Sequence, residues 1–266
     1  QNAVVNPQPV AAFSAPQICA GSSISFQNNS SGGATSYHWT FPGGSPATST
    51  GTSPAVTFSL PDTATVTLIA STAAGCNDTV QHNVIISANP TAAFSVSSIC
   101  LGQSLNLLNN SSIYPAGDSI LYHWTVTGGT PGSSTAAVPN IHYSTAGSST
   151  ITLIASSLGG CADTVQQTIS IHPVPSANFT APHVCAGSPL QIANLSSGAP
   201  GDSIVHYYWT FPGGSPGFSS VAQPSVVFNL FDTVSVSLIV VNQSGCRDTA
   251  LQNVIISPAP TADFSA

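Results

Sequence analysis

Cysteine, aspartate and histidine carry most of the side chains in this 266-residue sequence that could do chemistry. The six cysteines fall in two alternating settings. Cys19, Cys100 and Cys185 each begin a Cys-x-Gly turn, and Cys76, Cys161 and Cys246 each sit in Gly-Cys-x-Asp-Thr. With no Cys-x-x-Cys of the metal-binding kind, that usage points to disulfides and an oxidising exterior. The most direct pairing joins Cys19 to Cys76, Cys100 to Cys161 and Cys185 to Cys246. Seven of the eight aspartates precede Ser or Thr and then an aliphatic residue: Asp62-Thr63, Asp78-Thr79, Asp118-Ser119, Asp163-Thr164, Asp202-Ser203, Asp232-Thr233 and Asp248-Thr249. Such pairs bond their own backbone readily and read first as turns.

The histidines do not assemble into a reactive group. His38 and His123 occupy matching positions, but Tyr208 takes the third place. Beside Trp39 and Trp124 on a strand, both imidazoles should face outward. His82, His142, His172, His183 and His206 do not recur in register. There is no glutamate, no His-Glu-x-x-His, no Gly-x-Ser-x-Gly and no phosphate loop, so no pair is poised for acid–base work. No three aspartates cluster for Ca²⁺, which takes six to eight oxygens. The expectation is a chain without catalytic or metal residues, without a cofactor, and not an enzyme.

Composition narrows the class further. Only 3% of residues are charged, Arg247 is the one basic side chain among Lys and Arg, and the net charge is −7. Nothing here could neutralise a phosphate backbone, which excludes nucleic-acid binding. Forty-two serines and 26 threonines keep the surface wet. No apolar run approaches the roughly 18–20 residues of a membrane span.

Those groups are positioned by a repeat. Trp39, Trp124 and Trp209 are 85 residues apart, as are Cys76, Cys161 and Cys246, while Cys19 and Cys100 are 81 apart. The spacing predicts repeats at 9–89, 90–174 and 175–259. Residues 1–8 read as the end and linker of a preceding repeat, and 260–266 as the first strand of a following one, so the sequence reads as part of a longer array. Period-two alternation with Gly, Pro and Ser punctuation predicts about seven short strands per repeat. In the third repeat Leu190, Ile192, Trp209, Phe211, Val227, Val236, Leu238, Val254 and Ile256 are expected to point inward. Trp39, Trp124 and Trp209, with Phe26, Phe41 and Phe211, read as core. The class is all-β, a tandem of two-sheet antiparallel sandwiches, and the proline-rich joints favour a semi-rigid head-to-tail rod.

Tyr37-His38-Trp39-Thr40-Phe41-Pro42-Gly43-Gly44 resembles the Trp-x-Phe-Gly-Asp-Gly motif of the polycystic kidney disease (PKD) domain, an immunoglobulin-like sandwich. Phe13 near the start, Cys-x-Gly and Gly-Cys-x-Asp-Thr are similar to PKD repeats in giant surface proteins of gliding bacteria exported by the type IX pathway. The family's Gly-Asp-Gly is Pro-Gly-Gly or Thr-Gly-Gly here, so no role needing that Asp carries over. The resemblance implies display, spacing and adhesion. It places Cys-x-Gly and Gly-Cys at opposite ends of a sandwich, roughly 20 Å apart for a six-residue strand, whereas bonded cysteines need Cα atoms within ~7 Å. A staggered pairing, Cys19 to Cys161 and Cys100 to Cys246, therefore stands beside the direct one, with Cys76 and Cys185 reaching further neighbours. The Asp-Ser/Thr pattern also looks like the O-glycosylation signal of the same bacteria, which makes Thr63, Thr79, Ser119, Thr164, Ser203, Thr233 and Thr249 candidate acceptors.

The function expected on these grounds is a structural segment of a long extracellular, cell-surface fibre or adhesin. Its partners would be neighbouring repeats and copies of itself in a filament. Two alternatives stand beside it. One is a spacer array in a secreted polysaccharide-degrading enzyme. The other is an adhesion module taking surface glycans or protein through the loops Ile113–Leu121 and Ala199–Val205.

Overall fold

The computed structural model describes residues 7–16, 18–114 and 119–260, and these contain strands and turns but no helix. Most of the terminal segments at 1–8 and 260–266, and Asp118 with part of the Ile113–Leu121 loop, lie outside the described residues. Three hydrophobic clusters succeed one another along the chain. The first is built from Phe13 to Ile86, the second from Ala92 to Ile171, the third from Phe179 to Ile256. The protein is a tandem of β-sandwiches.

Each larger sheet has five strands in one order. In the first unit it runs Ile18–Cys19, Asn77–Ser87, Asp62–Ser71, Ser36–Thr40, Thr48–Ser49. The corresponding central pairs are Gly147–Ser157 with Ala162–His172, and Asp232–Asn242 with Arg247–Ser257. Opposite them lie short strands such as Ser23–Ser25, Ala55–Phe58 and Gly44–Ser45. Alternation makes the sheets one-sided. Ala64, Val66, Leu68 and Ala70 are buried while intervening residues reach the surface, the pattern of an antiparallel sheet with one wet face. The last strand of each sheet is 11 residues long, longer than the six-residue strand expected. In Ser225–Phe228 the buried residues are Val226 and Phe228, and Val227 is only half-buried. The strand is therefore one residue out of the expected register, anchored by Phe228.

All three tryptophans are at most 1% exposed. Each indole Nε1–H donates to a backbone carbonyl twelve residues on: Gly51 at 2.9 Å, Ala136 at 2.9 Å, Val221 at 3.0 Å. This satisfies the one polar atom of a buried indole. Trp39 and Trp209 stack on Phe41 and Phe211 at 5.8 and 6.0 Å. The middle unit has Val126 in that place and fills its core with Ile141 and Tyr143. The Tyr143 hydroxyl meets Ser149 Oγ at 2.9 Å, and Ser149 in turn donates to the Thr127 carbonyl at 2.7 Å.

The paired glycines after each tryptophan strand do two different jobs. Gly43, Gly128 and Gly213 have φ of 75°, 73° and 74°, a region other residues rarely enter. A Cβ on Gly44, Gly129 or Gly214 would sit 2.6–2.7 Å from Val56, Val126 or Val226. The middle position of the family's Gly-Asp-Gly is thus a left-handed glycine here, with no carboxylate.

The aspartates of Gly-Cys-x-Asp-Thr are not simple turn residues. Asp78, Asp163 and Asp248 each accept a bond from a backbone N–H at the start of their own unit: Ala11 at 2.8 Å, Ala92 at 2.9 Å, Ala177 at 2.8 Å. A charged acceptor makes such bonds stronger than neutral ones, and these fix the first strand to the last. Four residues further along the same strand, Gln167 and Gln252 donate to the Phe94 and Phe179 carbonyls at 2.6 and 2.7 Å. His82 takes the equivalent place and packs on Phe13, ring centroids 4.6 Å apart. Its role is packing.

Candidate functional site

The residues with the most distinctive chemistry meet where one sandwich follows another. The strand Ile18–Cys19 lies parallel to the end of Asn77–Ser87, with Ile18 opposite Ile86 and Cys19 opposite Ser87. Cys76 sits just before Asn77, at the other end of that strand. Eleven residue steps at ~3.3 Å each separate the two cysteines of one unit by about 36 Å, far beyond bonding reach.

A tight turn brings the partner from the next unit. Ser157 N donates to the Cys161 carbonyl at 2.8 Å, Gly160 N to the Ser157 carbonyl at 2.9 Å, and Cys161 N to Ser157 Oγ at 3.2 Å. Cys161 is thereby presented to Cys19, and the two are bonded with Cα atoms 5.7 Å apart. Gly159 lies against Ser87, where a Cβ would collide with the serine side chain. The loop residue Pro61 and the strand end Ile86, Ser87, Ala88 line a cleft with Leu158 and Gly159 of the following unit.

The second junction repeats the plan with different side chains. Cys100 lies opposite His172 on the parallel strand, and Cys246 is bonded to it, again at 5.7 Å between Cα atoms. Asn242 replaces Ser157 in the turn: its Oδ1 accepts from Cys246 N at 2.7 Å, and its Nδ2 donates to the Pro173 carbonyl at 2.9 Å across the joint. The same Nδ2 donates to Asp202 Oδ2 at 2.8 Å, while Asp202 Oδ1 accepts from Ser244 N at 3.1 Å. Asp202 is 6% exposed. Rather than capping its own turn, this aspartate braces the Ala199–Val205 loop against the joint, so its carboxylate is turned away from solvent. The signal for this was faint, because the bracing position is Thr72, Ser157 or Asn242 in the three units.

The structure thus contains the staggered bonds, Cys19–Cys161 and Cys100–Cys246, while Cys76 is free and half-buried and Cys185 is free and exposed. The direct pairings Cys19–Cys76, Cys100–Cys161 and Cys185–Cys246 are absent, because each pair sits at opposite ends of an 11-residue strand.

The candidate acceptors Thr63, Thr79, Ser119, Thr164, Ser203, Thr233 and Thr249 are all exposed. Asp62, Asp163 and Asp232 accept, through Oδ1, the N–H of the hydroxyl residue that follows, at 2.7–2.8 Å, which leaves that residue's side chain pointing out. Six of the seven histidines are exposed and His172 is half-buried. Among the described residues, no three His, Cys, Asp or Glu come together as a metal site.

The PKD domain family model matches residues 6–86, the first unit. No curated protein matches the sequence. Among solved structures, the PKD1 domain of Vibrio anguillarum Epp is 25% identical, covering 32% of this chain and 96% of that one, with a TM-score of 0.29. The three N-terminal domains of the bacteriophage RB49 Highly Immunogenic Outer Capsid protein are 9% identical over 96% of this chain and 100% of theirs, at 0.41. A 1.5-MDa bacterial ice-binding adhesin is 12% identical over 94% of this chain and 98% of that chain, at 0.32.

Proposed function

We propose that this chain is a load-bearing segment of a long, secreted, surface-exposed fibre or adhesin, a non-catalytic rod of PKD-like sandwiches stapled end to end. The observation that carries the reading is the disulfide pattern: both bonds join one sandwich to the next, and none closes within a sandwich. A sandwich of about 85 residues has a stability of only about 4–13 kcal/mol, and a staple to its neighbour limits how far it can separate. Such bonds persist in oxidising surroundings, which supports an extracellular or cell-surface location. A surface with 3% charged residues offers little repulsion between copies lying side by side and few Lys to guard edge strands, which favours bundling into a filament. Electron microscopy of native material should show filaments of constant width. Isolated molecules, each attached to a catalytic domain, would contradict the reading.

The seven exposed hydroxyls at Asp-Ser/Thr are the proposed sites of O-linked sugar, which would hydrate this weakly charged surface. Peptides from native protein that span these positions should then weigh more than their sequences by hexose-type increments, and unmodified peptides at all seven would contradict the assignment.

A further inference from the structure

Each five-stranded sheet has one wet face, and strand register makes the three faces comparable position by position. Tyr208 lies opposite Ile239, as His38 lies opposite Ile69 and His123 opposite Ile154. On the edge strand, Phe218 lies opposite Thr210, where the first unit has Thr48 opposite Thr40 and the second Ser133 opposite Thr125. Two sandwiches therefore fold with imidazole and hydroxyl at places where the third carries two aromatic rings. The core does not require those rings, since Tyr208 is 51% and Phe218 75% exposed.

Both rings stand on one face and flank one cleft. Trp209 points inward, so Tyr208 and Thr210 on either side of it point outward, and Phe218 joins them as the cross-strand partner of Thr210. Tyr208 and Phe218 are then diagonal neighbours, a relation that sets Cβ atoms about 7–8 Å apart. The cleft, of about 370 Å³, is lined by Tyr208, Trp209, Thr210, Phe218, Ser219 and Ser220, a size typical of small-ligand sites. His206 continues the row of rings, its centroid 6.2 Å from that of Tyr208. All of this lies beside the middle of Asp232–Asn242, away from the joint at Cys246.

The lining narrows the occupant. It offers aromatic faces and hydroxyls without a charged side chain, in a chain of net charge −7. An anionic ligand is repelled, and a neutral molecule with both apolar faces and hydroxyls is matched. A sugar ring is such a molecule: its C–H face lies on an aromatic ring while its hydroxyls reach serine and threonine. A second copy of the chain fits less well. A lateral seam between rods needs the rings in every unit, whereas at the same sheet face the first two units present Gln81 and Gln166, bonded to Thr67 and Thr152. We infer that the wet face of the third sandwich binds a neutral saccharide, stacked on Tyr208 and Phe218 and hydrogen-bonded by Thr210 and Ser220. This goes beyond the stapled rod, because it gives one repeat a ligand that the other two do not share.

The test is an array of neutral and acidic glycans probed with the oxidised 266-residue chain, followed by calorimetric titration with the neutral oligosaccharide that binds most strongly. Neutral glycans are expected to bind and acidic ones not. Tyr208→His combined with Phe218→Thr, which copies the first unit into the third, should weaken binding by at least about tenfold and leave the melting temperature unchanged. His38→Ala, at the equivalent place in the first unit, should bind as the parent does. Silence across the neutral glycans, binding to acidic glycans alone, or equal binding by the double variant would overturn the inference. So would association of copies in the ultracentrifuge that the double variant abolishes while no glycan binds. None of these results alters the disulfide staples, so the saccharide site stands or fails separately from the rod.

Discussion

Pulled from its two ends, the oxidised chain is expected to stop extending at roughly 350 Å, against roughly 900 Å for the reduced chain, at ~3.5 Å per residue. The limit comes from interleaving. The shortest covalent route runs from the N-terminus to Cys19, crosses to Cys161, returns along the chain to Cys100, crosses to Cys246 and leaves at the C-terminus, about 100 residues of backbone. Cutting one staple lengthens this little, because the other still shortcuts most of the chain. Cys161→Ser or Cys246→Ser should stop at about 420–430 Å, and only the double variant should reach the full contour length. Cys76→Ser should change nothing, since Cys76 lies in neither bond. Bonds closed within each sandwich would instead give separate, additive increments, and Cys76→Ser would release one of them. Force spectroscopy on the four variants measures this directly. The pattern is strongly non-additive because the two bonds interleave, so either one alone still shortcuts most of the chain.

Trp124→Ala is expected to unfold the middle sandwich selectively. Removing a fully buried indole costs about 3–5 kcal/mol through lost transfer energy and the cavity left behind. Here it also leaves the Ala136 carbonyl without its donor and removes the edge-to-face partner of Phe94, 5.2 Å away. Against a stability of about 4–13 kcal/mol per unit, that loss is from about a quarter to the whole of the margin. At roughly 4–8 °C per kcal/mol for a domain of this size, one calorimetric transition should fall by about 15 °C or more while the others move little. The three cores are separate clusters, so a uniform shift of the whole melt would contradict independent sandwiches, and no shift would contradict the core assignment.

The fold was legible because its determinants are local and repeated. Tryptophans 85 residues apart, alternating strands and Gly-Gly turns each depend on near neighbours in sequence. Misreadings arose where the partner is distant or has no side-chain signature. Asp78, Asp163 and Asp248 read as turn residues, yet they hold backbone N–H groups 67–71 positions away, and a backbone donor leaves no mark in composition. Alternation alone cannot tell Val226 from Val227, because the two are chemically identical. Phe228, fully buried, sets the register instead. Asp202 reads as a turn residue, but it is held by Asn242, at a position where the other repeats carry Thr72 and Ser157. The cysteine pairing stayed open for a related reason. Two cysteines 57 residues apart sit at opposite ends of one strand, while those 142 and 146 apart meet at a joint, and only the topology decides between them.

Proteolysis of the folded, alkylated chain without reduction, followed by mass spectrometry of the linked peptides, tests the stapled rod most directly. The account predicts one peptide joining Cys19 to Cys161 and another joining Cys100 to Cys246. Recovery of a Cys19–Cys76 or Cys100–Cys161 peptide would contradict it.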